Sequence, residues 1–284
     1  MRSETQVLEQ ILAFARSHDS IRAVVMNGSR VNPNAPKDMF QDYDVVCYTA
    51  GPRRFLEDQS WISSFGELII LQQNDFTENG LDGHIFLMLF SDGVRIDLAF
   101  DHLEMLACLG EDSLTRVLLD KDGRIPPLPP ESDRSYHIAR PSRKTFDETL
   151  NEIFWCSNNI AKGLWRGELA YTKYMLDVIV RPCVVRLLEW YAAMQHGWAI
   201  GTGAYGKWLQ NFLPPDLWAA FVGTYAGAED EDNWRALFET CALTRRAGQP
   251  LAACLGYTYP LEDDRRMVSY LEWVRSLPRA RREP

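Results

Sequence analysis

The sequence predicts an α+β protein of two domains, a mixed sheet with helices over residues 1–130 and an α-helical bundle over residues 131–284. Three observations predict it. Up to Phe100, short apolar runs alternate with turn signals; prolines cluster at Pro126, Pro127, Pro129 and Pro130; from Asp147 onward apolar residues recur almost throughout at helical spacing. A chain of 284 residues also exceeds what one hydrophobic core usually serves.

Ser3-Glu4-Thr5-Gln6 has capping-box spacing, and Val7, Leu8, Ile11, Leu12 and Phe14 follow at helical intervals, so an amphipathic helix should run to about His18. Ile21 to Met26 reads as a strand stopping at the tight turn Asn27-Gly28. Val45 to Thr49 and Leu68 to Gln72 read as further strands, and Ile85 to Phe90 with Val94 to Phe100 as a hairpin around Ser91-Asp92-Gly93. The prolines after Arg124 cannot donate a backbone hydrogen bond inside an element, and mark the linker. Beyond it, Leu150, Ile153 and Phe154 belong to one helix and Leu176, Ile179, Val180 and Val184 to the next, where Pro182 should force a kink or interruption. Pro214, Pro215 and Pro250 read as later breaks.

Hydrophobic residues at 46% and charged ones at 24% exclude a disordered chain. The N-terminal residues interleave polar and apolar side chains, unlike a signal peptide, and no apolar stretch is long enough to span a bilayer, so a cytoplasmic protein with no membrane partner is expected. The six cysteines lack zinc spacing and read as buried free thiols. A net charge of -9 argues against nucleic acid as partner and favours a cationic one. A monomer or weak oligomer is the expected state.

Three motifs carry the chemistry. Gly28-Ser29-Arg30 follows a strand, where glycine allows close backbone approach and Ser29, at a helix start, offers a hydroxyl and an amide to phosphate; a plain turn with a helix-capping serine is the alternative. Asp42-Tyr43-Asp44 enters an apolar run, and strand alternation sends both carboxylates to one face, where a hard divalent ion would offset their repulsion; a solvated pair at a strand end is the alternative. Asp97 interrupts the strand Arg95 to Phe100, where aspartate is disfavoured; a salt bridge with Arg95 is its alternative.

The order Gly-Ser, Asp-x-Asp, lone Asp resembles the nucleotidyltransferase superfamily of the DNA polymerase β type. More closely, Gly28-Ser29-Arg30, Asn32, Asn34-Ala35-Pro36-Lys37-Asp38, Phe40-Gln41-Asp42-Tyr43-Asp44, Leu87-Met88-Leu89-Phe90 and Ile96-Asp97-Leu98 resemble the aminoglycoside 6-adenylyltransferases, the streptomycin-inactivating family. Lys121-Asp122, Tyr136-His137, Arg140-Pro141-Ser142 and Lys162-Gly163-Leu164 extend the likeness through most of the chain.

The resemblance implies a polymerase-β-like nucleotidyltransferase domain followed by a helical domain that shapes the acceptor site, with ATP as co-substrate, Mg²⁺ as cofactor and a small cationic aminoglycoside as acceptor. Gly28, Ser29 and Arg30 would hold the nucleotide, Asp42 and Asp44 would bind Mg²⁺, and Asp97 would ligate a second ion or take the acceptor's proton. Lys162 and Lys207 would reach the triphosphate. AMP would pass to the 6-hydroxyl of streptomycin; the same chemistry on another small molecule or a protein hydroxyl, and an inactive nucleotide-binding module, are the rival readings. Glu152, Asp177, Glu189 and the run Glu229 to Asp232 are candidate acceptor contacts, the run reading better as the acidic first turn of the helix carrying Trp234. Trp155, Trp165 and Trp190, at helical spacing, are expected in the core. This chain departs from the family pattern at Asn27, where an acidic residue is common, at Pro182, and at Ala204, where a lysine is expected.

Overall fold

The computed structural model describes residues 1–278. Helix α1 (Glu4–Ser17) begins at a complete capping box, Ser3 and Gln6 each accepting from the other's backbone amide. It ends where the Lys121 ammonium donates to the Ala15 and His18 carbonyls at 2.9 and 3.0 Å, a cation at the negative end of the helix. Strands β1 (Ile21–Asn27) and β2 (Tyr43–Thr49), the short helix α2 (Arg53–Glu57), and strands β3 (Leu68–Glu78), β4 (Leu81–Phe90), β5 (Arg95–His102) and β6 (Arg116–Asp120) follow.

The six strands form one sheet in the order β3-β4-β5-β2-β1-β6, with β2 and β5 parallel and the other neighbours antiparallel. Two parts of it escape the sequence reading. The β3–β4 hairpin is longer than expected because Asn79 and Gly80, at φ +50° and +78°, make a tight turn whose twist matches the strands. Strand β6 covers the edge of β1 with a half-exposed five-residue segment.

Strand alternation divides the sheet's faces. Val24, Met26, Tyr43, Val45, Cys47, Ile96, Leu98 and Phe100 pack in one core with Val7, Ile11 and Phe14 of α1. Ala23, Val25 and Tyr48 on the other face form a smaller cluster with Met105. Asp44 and Asp97 belong to this second face by the same alternation.

The remaining helices are α3 (Arg143–Arg166), capped by Ser142 and ended by Gly167 at φ +66°, then α4 (Leu169–Lys173), α5 (Arg181–Gln195), α6 (Pro215–Gly223), α7 (Asp230–Leu255) and α8 (Leu261–Ser276). Their apolar faces share one core around Leu150, Ile153, Leu187, Leu237 and Leu271. Two proline expectations are corrected. Pro182 does not interrupt its helix: Tyr174–Val180 widens to a π-helix, the Arg181 amide donating to the Leu176 carbonyl, and α5 follows directly with Pro182 as its second residue. Pro250 lies inside α7, which runs on to Leu255; Pro250 and Arg246, the residue four positions before it, are both exposed, while Ala247, Leu251 and Ala252 are buried and hold the helix.

The chain divides into two compact units, Met1–Ser135 and the residues from Tyr136 onward. Residues 131–135 go with the first, through the ion pair of Glu131 with Arg116 at 2.7 Å and the bonds of Ser113 to Ser132 and Ser135. Among the described residues no helix is long and apolar enough to cross a membrane.

Candidate active site

Strand β1 delivers its last residue, Asn27, opposite Asp44 of β2, and the chain then turns at Gly28, φ +75°. A Cβ on Gly28 would lie 2.1 Å from Asp44 Oδ2, so only glycine fits both the backbone angle and the carboxylate. Gly28–Arg30 form a single 3₁₀ turn rather than the start of a long helix, so the corner offers an anion its amides and the Ser29 hydroxyl without a substantial helix dipole. That hydroxyl has no hydrogen bond among the described residues.

Arg30 is engaged by neighbouring groups of the protein. Its guanidinium donates to the carbonyls of Asp42 at 3.1 Å and Gln41 at 2.7 Å, pairs with Glu4 at 3.2 Å and lies 3.7 Å from the centre of the Tyr43 ring. Gln41 in turn donates to the Ser29 carbonyl at 3.1 Å. These bonds fasten the segment bearing Asp42 to the Gly-Ser corner.

Asp44 and Asp97 are register partners on the parallel strands β2 and β5, and Asp42 lies just ahead of β2. Among them sits a cation that the sequence suggests only as an ordinary salt bridge. Arg95 grips both oxygens of Asp97, Nε at 2.8 Å and Nη2 at 2.7 Å, and reaches Asp42 at 3.4 Å through Nη1. Its hydrogen bond to Asp97 raises its basicity above the ordinary value, burial opposing, and the charges of Asp97, Asp42 and Asp44 add to the rise. The signal was legible: residues two apart on a strand share a face, so Arg95 and Asp97 had to meet.

In the second unit, Lys162 lies half-buried on α3 with no side-chain partner among the described residues. Lys207 is exposed, its ammonium 4.9 Å from the Trp208 ring centre, at the end of a loop where Gly203, Tyr205 and Gly206 all have positive φ. Glu189, half-buried nearby, accepts from the Thr202 hydroxyl at 2.6 Å; burial pushes its carboxyl above the usual carboxylate range, and that bond and the charge of Arg186 only partly offset the rise. Asp177 is held between Lys173 at 2.8 Å and Arg181 at 2.7 Å, which overcome the upward push of burial and keep it below the usual carboxylate range. Glu152 accepts from the Cys156 thiol at 3.3 Å. Asp230, Glu231 and Asp232 form the first turn of α7 behind Glu229 as N-cap. Trp190 is buried and Trp165 partly so, but Trp155 is 64% exposed, against the core expectation, because it sits on the outer face of α3. Cys47, Cys156 and Cys241 are buried thiols, whereas Cys108 and Cys183 are half-buried and Cys254 is exposed, so burial does not hold for all six.

The family model for streptomycin adenylyltransferase matches residues 1–274. The chain belongs to that family, one of nucleotidyltransferases. It is similar to an aminoglycoside 6-adenylyltransferase of Campylobacter jejuni, 34% identical over 271 residues and 93% of each chain. A relative of the same description from Bacillus subtilis is 32% identical over 96% of this chain and 98% of its own. The crystal structure of an aminoglycoside 6-adenyltransferase from Bacillus subtilis aligns over 98% of this chain and 100% of that one, at 28% identity and a TM-score of 0.49.

Members of an adenylyltransferase family take their adenylyl group from ATP, and the first unit can be tested for the hard ion that accompanies a triphosphate. Asp42, Asp44 and Asp97 supply hard oxygen donors, and Asn27 Oδ1, buried opposite Asp44, has no hydrogen-bond partner among the described residues. No three carboxylate, imidazole or thiol groups among the described residues already converge as a metal cluster. A guanidinium does bridge two of the carboxylates, so the donor set accepts a cation and its chemistry fits Mg²⁺.

Proposed function

We propose that this protein transfers AMP from Mg-ATP to a hydroxyl of an aminoglycoside, with the 6-hydroxyl of streptomycin as the favoured acceptor, and releases pyrophosphate. The observation that carries the reading is the meeting of Gly28, Asp44 and Asp97 on one sheet face, within a chain whose relatives are aminoglycoside 6-adenylyltransferases along nearly their full length.

In this reading the Gly28 backbone and the Ser29 hydroxyl bind the triphosphate, and Arg30 acts indirectly by fastening the Asp42 segment. Asp42 and Asp44, with Asp97 or Asn27 Oδ1 completing the set, are the residues that would hold Mg²⁺. When bound, the ion neutralises charge that develops on the α-phosphate. Asp97, only 10% exposed in its side chain, would serve the acceptor hydroxyl, as a proton acceptor or through a second ion. Lys162 and Lys207 are the second unit's candidates for the triphosphate, and Glu189, which accepts from the neutral Thr202 hydroxyl, for a cationic group of the acceptor. The net charge of -9 favours approach of such an acceptor. Dependence on ATP and six free thiols support a cytoplasmic setting.

The test is an acceptor panel: streptomycin, other aminoglycosides and a lincosamide incubated with ATP and Mg²⁺, with pyrophosphate release followed and the modified hydroxyl located by NMR. Release with streptomycin and a phosphorus coupling at its 6-position support the reading. Release only with other acceptors overturns the streptomycin assignment, and release with none overturns the enzymatic one.

A further inference from the structure

Arg95 bridges two of the proposed metal-binding carboxylates, and its geometry is that of a competitor. It meets Asp97 with a two-pronged grip at 2.7 and 2.8 Å and reaches Asp42 at 3.4 Å. A divalent ion bound by these same carboxylates would bring two positive charges among oxygens that the guanidinium holds, so the ion and the guanidinium repel each other and compete for the same oxygens. The side chains differ in freedom: Arg95 is 44% exposed and Asp97 only 10%, so it is the arginine, on its long stem, that can withdraw into solvent while the carboxylate stays.

We propose that Arg95 is a built-in counter-ion which holds the carboxylates in register when no metal is bound and must release Asp42 and Asp97 for a divalent ion to enter. This rests on the metal reading above. Arg95 is thus a positioning residue rather than a catalytic one. Its grip sets the metal concentration at which the site loads, because an ion that binds only the released state has its affinity reduced by the fraction of protein in that state.

The test is direct binding of Mn²⁺, which favours the same octahedral oxygen sites as Mg²⁺, to nucleotide-free protein, followed by the paramagnetic resonance of free Mn²⁺. Arg95→Gln removes both charge and grip; Arg95→Lys keeps the charge but cannot form the planar fork. Circular dichroism establishes that each is folded, and the Lys variant carries the test if the Gln variant is not. Losing one charge-assisted interaction predicts Mn²⁺ affinity about tenfold tighter for Arg95→Gln, with Arg95→Lys shifted in the same direction. If Arg95→Lys matches wild type, the displacement proposal is overturned: net charge alone acts where Arg95→Gln binds tighter, and neither charge nor grip acts where it does not. If Asp44→Asn abolishes binding in that case, the metal reading survives. If neither wild type nor any variant shows Mn²⁺ binding that depends on Asp44, the metal reading itself falls and the proposal with it.

Discussion

Gly28→Ala puts one methyl group where the structure has room for none. The added carbon would begin 2.1 Å from Asp44 Oδ2 and 2.9 Å from its Cγ, so Asp44 must withdraw by more than about 1 Å to reach van der Waals contact. Gly28 also sits at φ +75°, where an L side chain costs roughly 1–2 kcal/mol. Gly80 supplies the control: its φ is +78°, but a Cβ there would meet nothing within 4 Å. Both alanine variants should therefore lose a similar 1–2 kcal/mol, roughly 4–8 °C in melting temperature. Only Gly28→Ala should lose activity, by about a hundredfold, since a displacement near 1 Å in a reacting constellation costs about that much. Thermal melts followed by circular dichroism and steady-state pyrophosphate release measure the two quantities. A Gly28→Ala enzyme that melts below wild type yet keeps its turnover would refute the reasoning, because Asp44 would have moved without consequence.

Two further predictions concern stability. Asp264 is fully buried, held by two bonds from Arg245 at 2.6 and 2.7 Å and by the Tyr259 hydroxyl at 2.8 Å; Arg245→Met, which strands that carboxylate, should cost about 3–5 kcal/mol by urea unfolding, and adding Asp264→Leu should recover most of the loss. A single variant that unfolds like wild type contradicts this. Asp92 accepts from the Arg2 side chain and backbone amide, which hold it well below the usual carboxylate range despite burial. A depressed carboxylate stabilises the fold above its unfolded pKa and loses that contribution as pH falls toward its folded value, so wild type should weaken below about pH 4 more steeply than Arg2→Met. Parallel acid profiles for the two proteins would show that the pair does not link to folding.

Much of the fold was legible because its signals are local. The capping box of α1, the apolar runs of β1, β2 and β5 and the helical spacing after Asp147 each determine one element without reference to distant residues. What escaped depends on tertiary partners. β6 is only five residues long and stays half-exposed, pairing because β1 offers it an edge, and the π-helix before Pro182 and the unbroken helix through Pro250 exist because packing outweighs one lost hydrogen bond. Within the candidate site, alternation was enough to set Asp44 and Asp97 on the face opposite the main core. The parallel register that aligns Asp44 with Asp97, the approach of Asp44 to Gly28 and the commitment of Arg30 to the Asp42 segment could not be read, because each sets strand against strand across tens of residues.

The most direct test of the central claim is the intact mass of streptomycin after incubation with the protein, ATP and Mg²⁺, beside an identical incubation with Asp44→Asn. The account predicts that streptomycin gains the mass of one AMP with wild type and remains unmodified with the variant. Unmodified streptomycin in both, or equal modification in both, would contradict it.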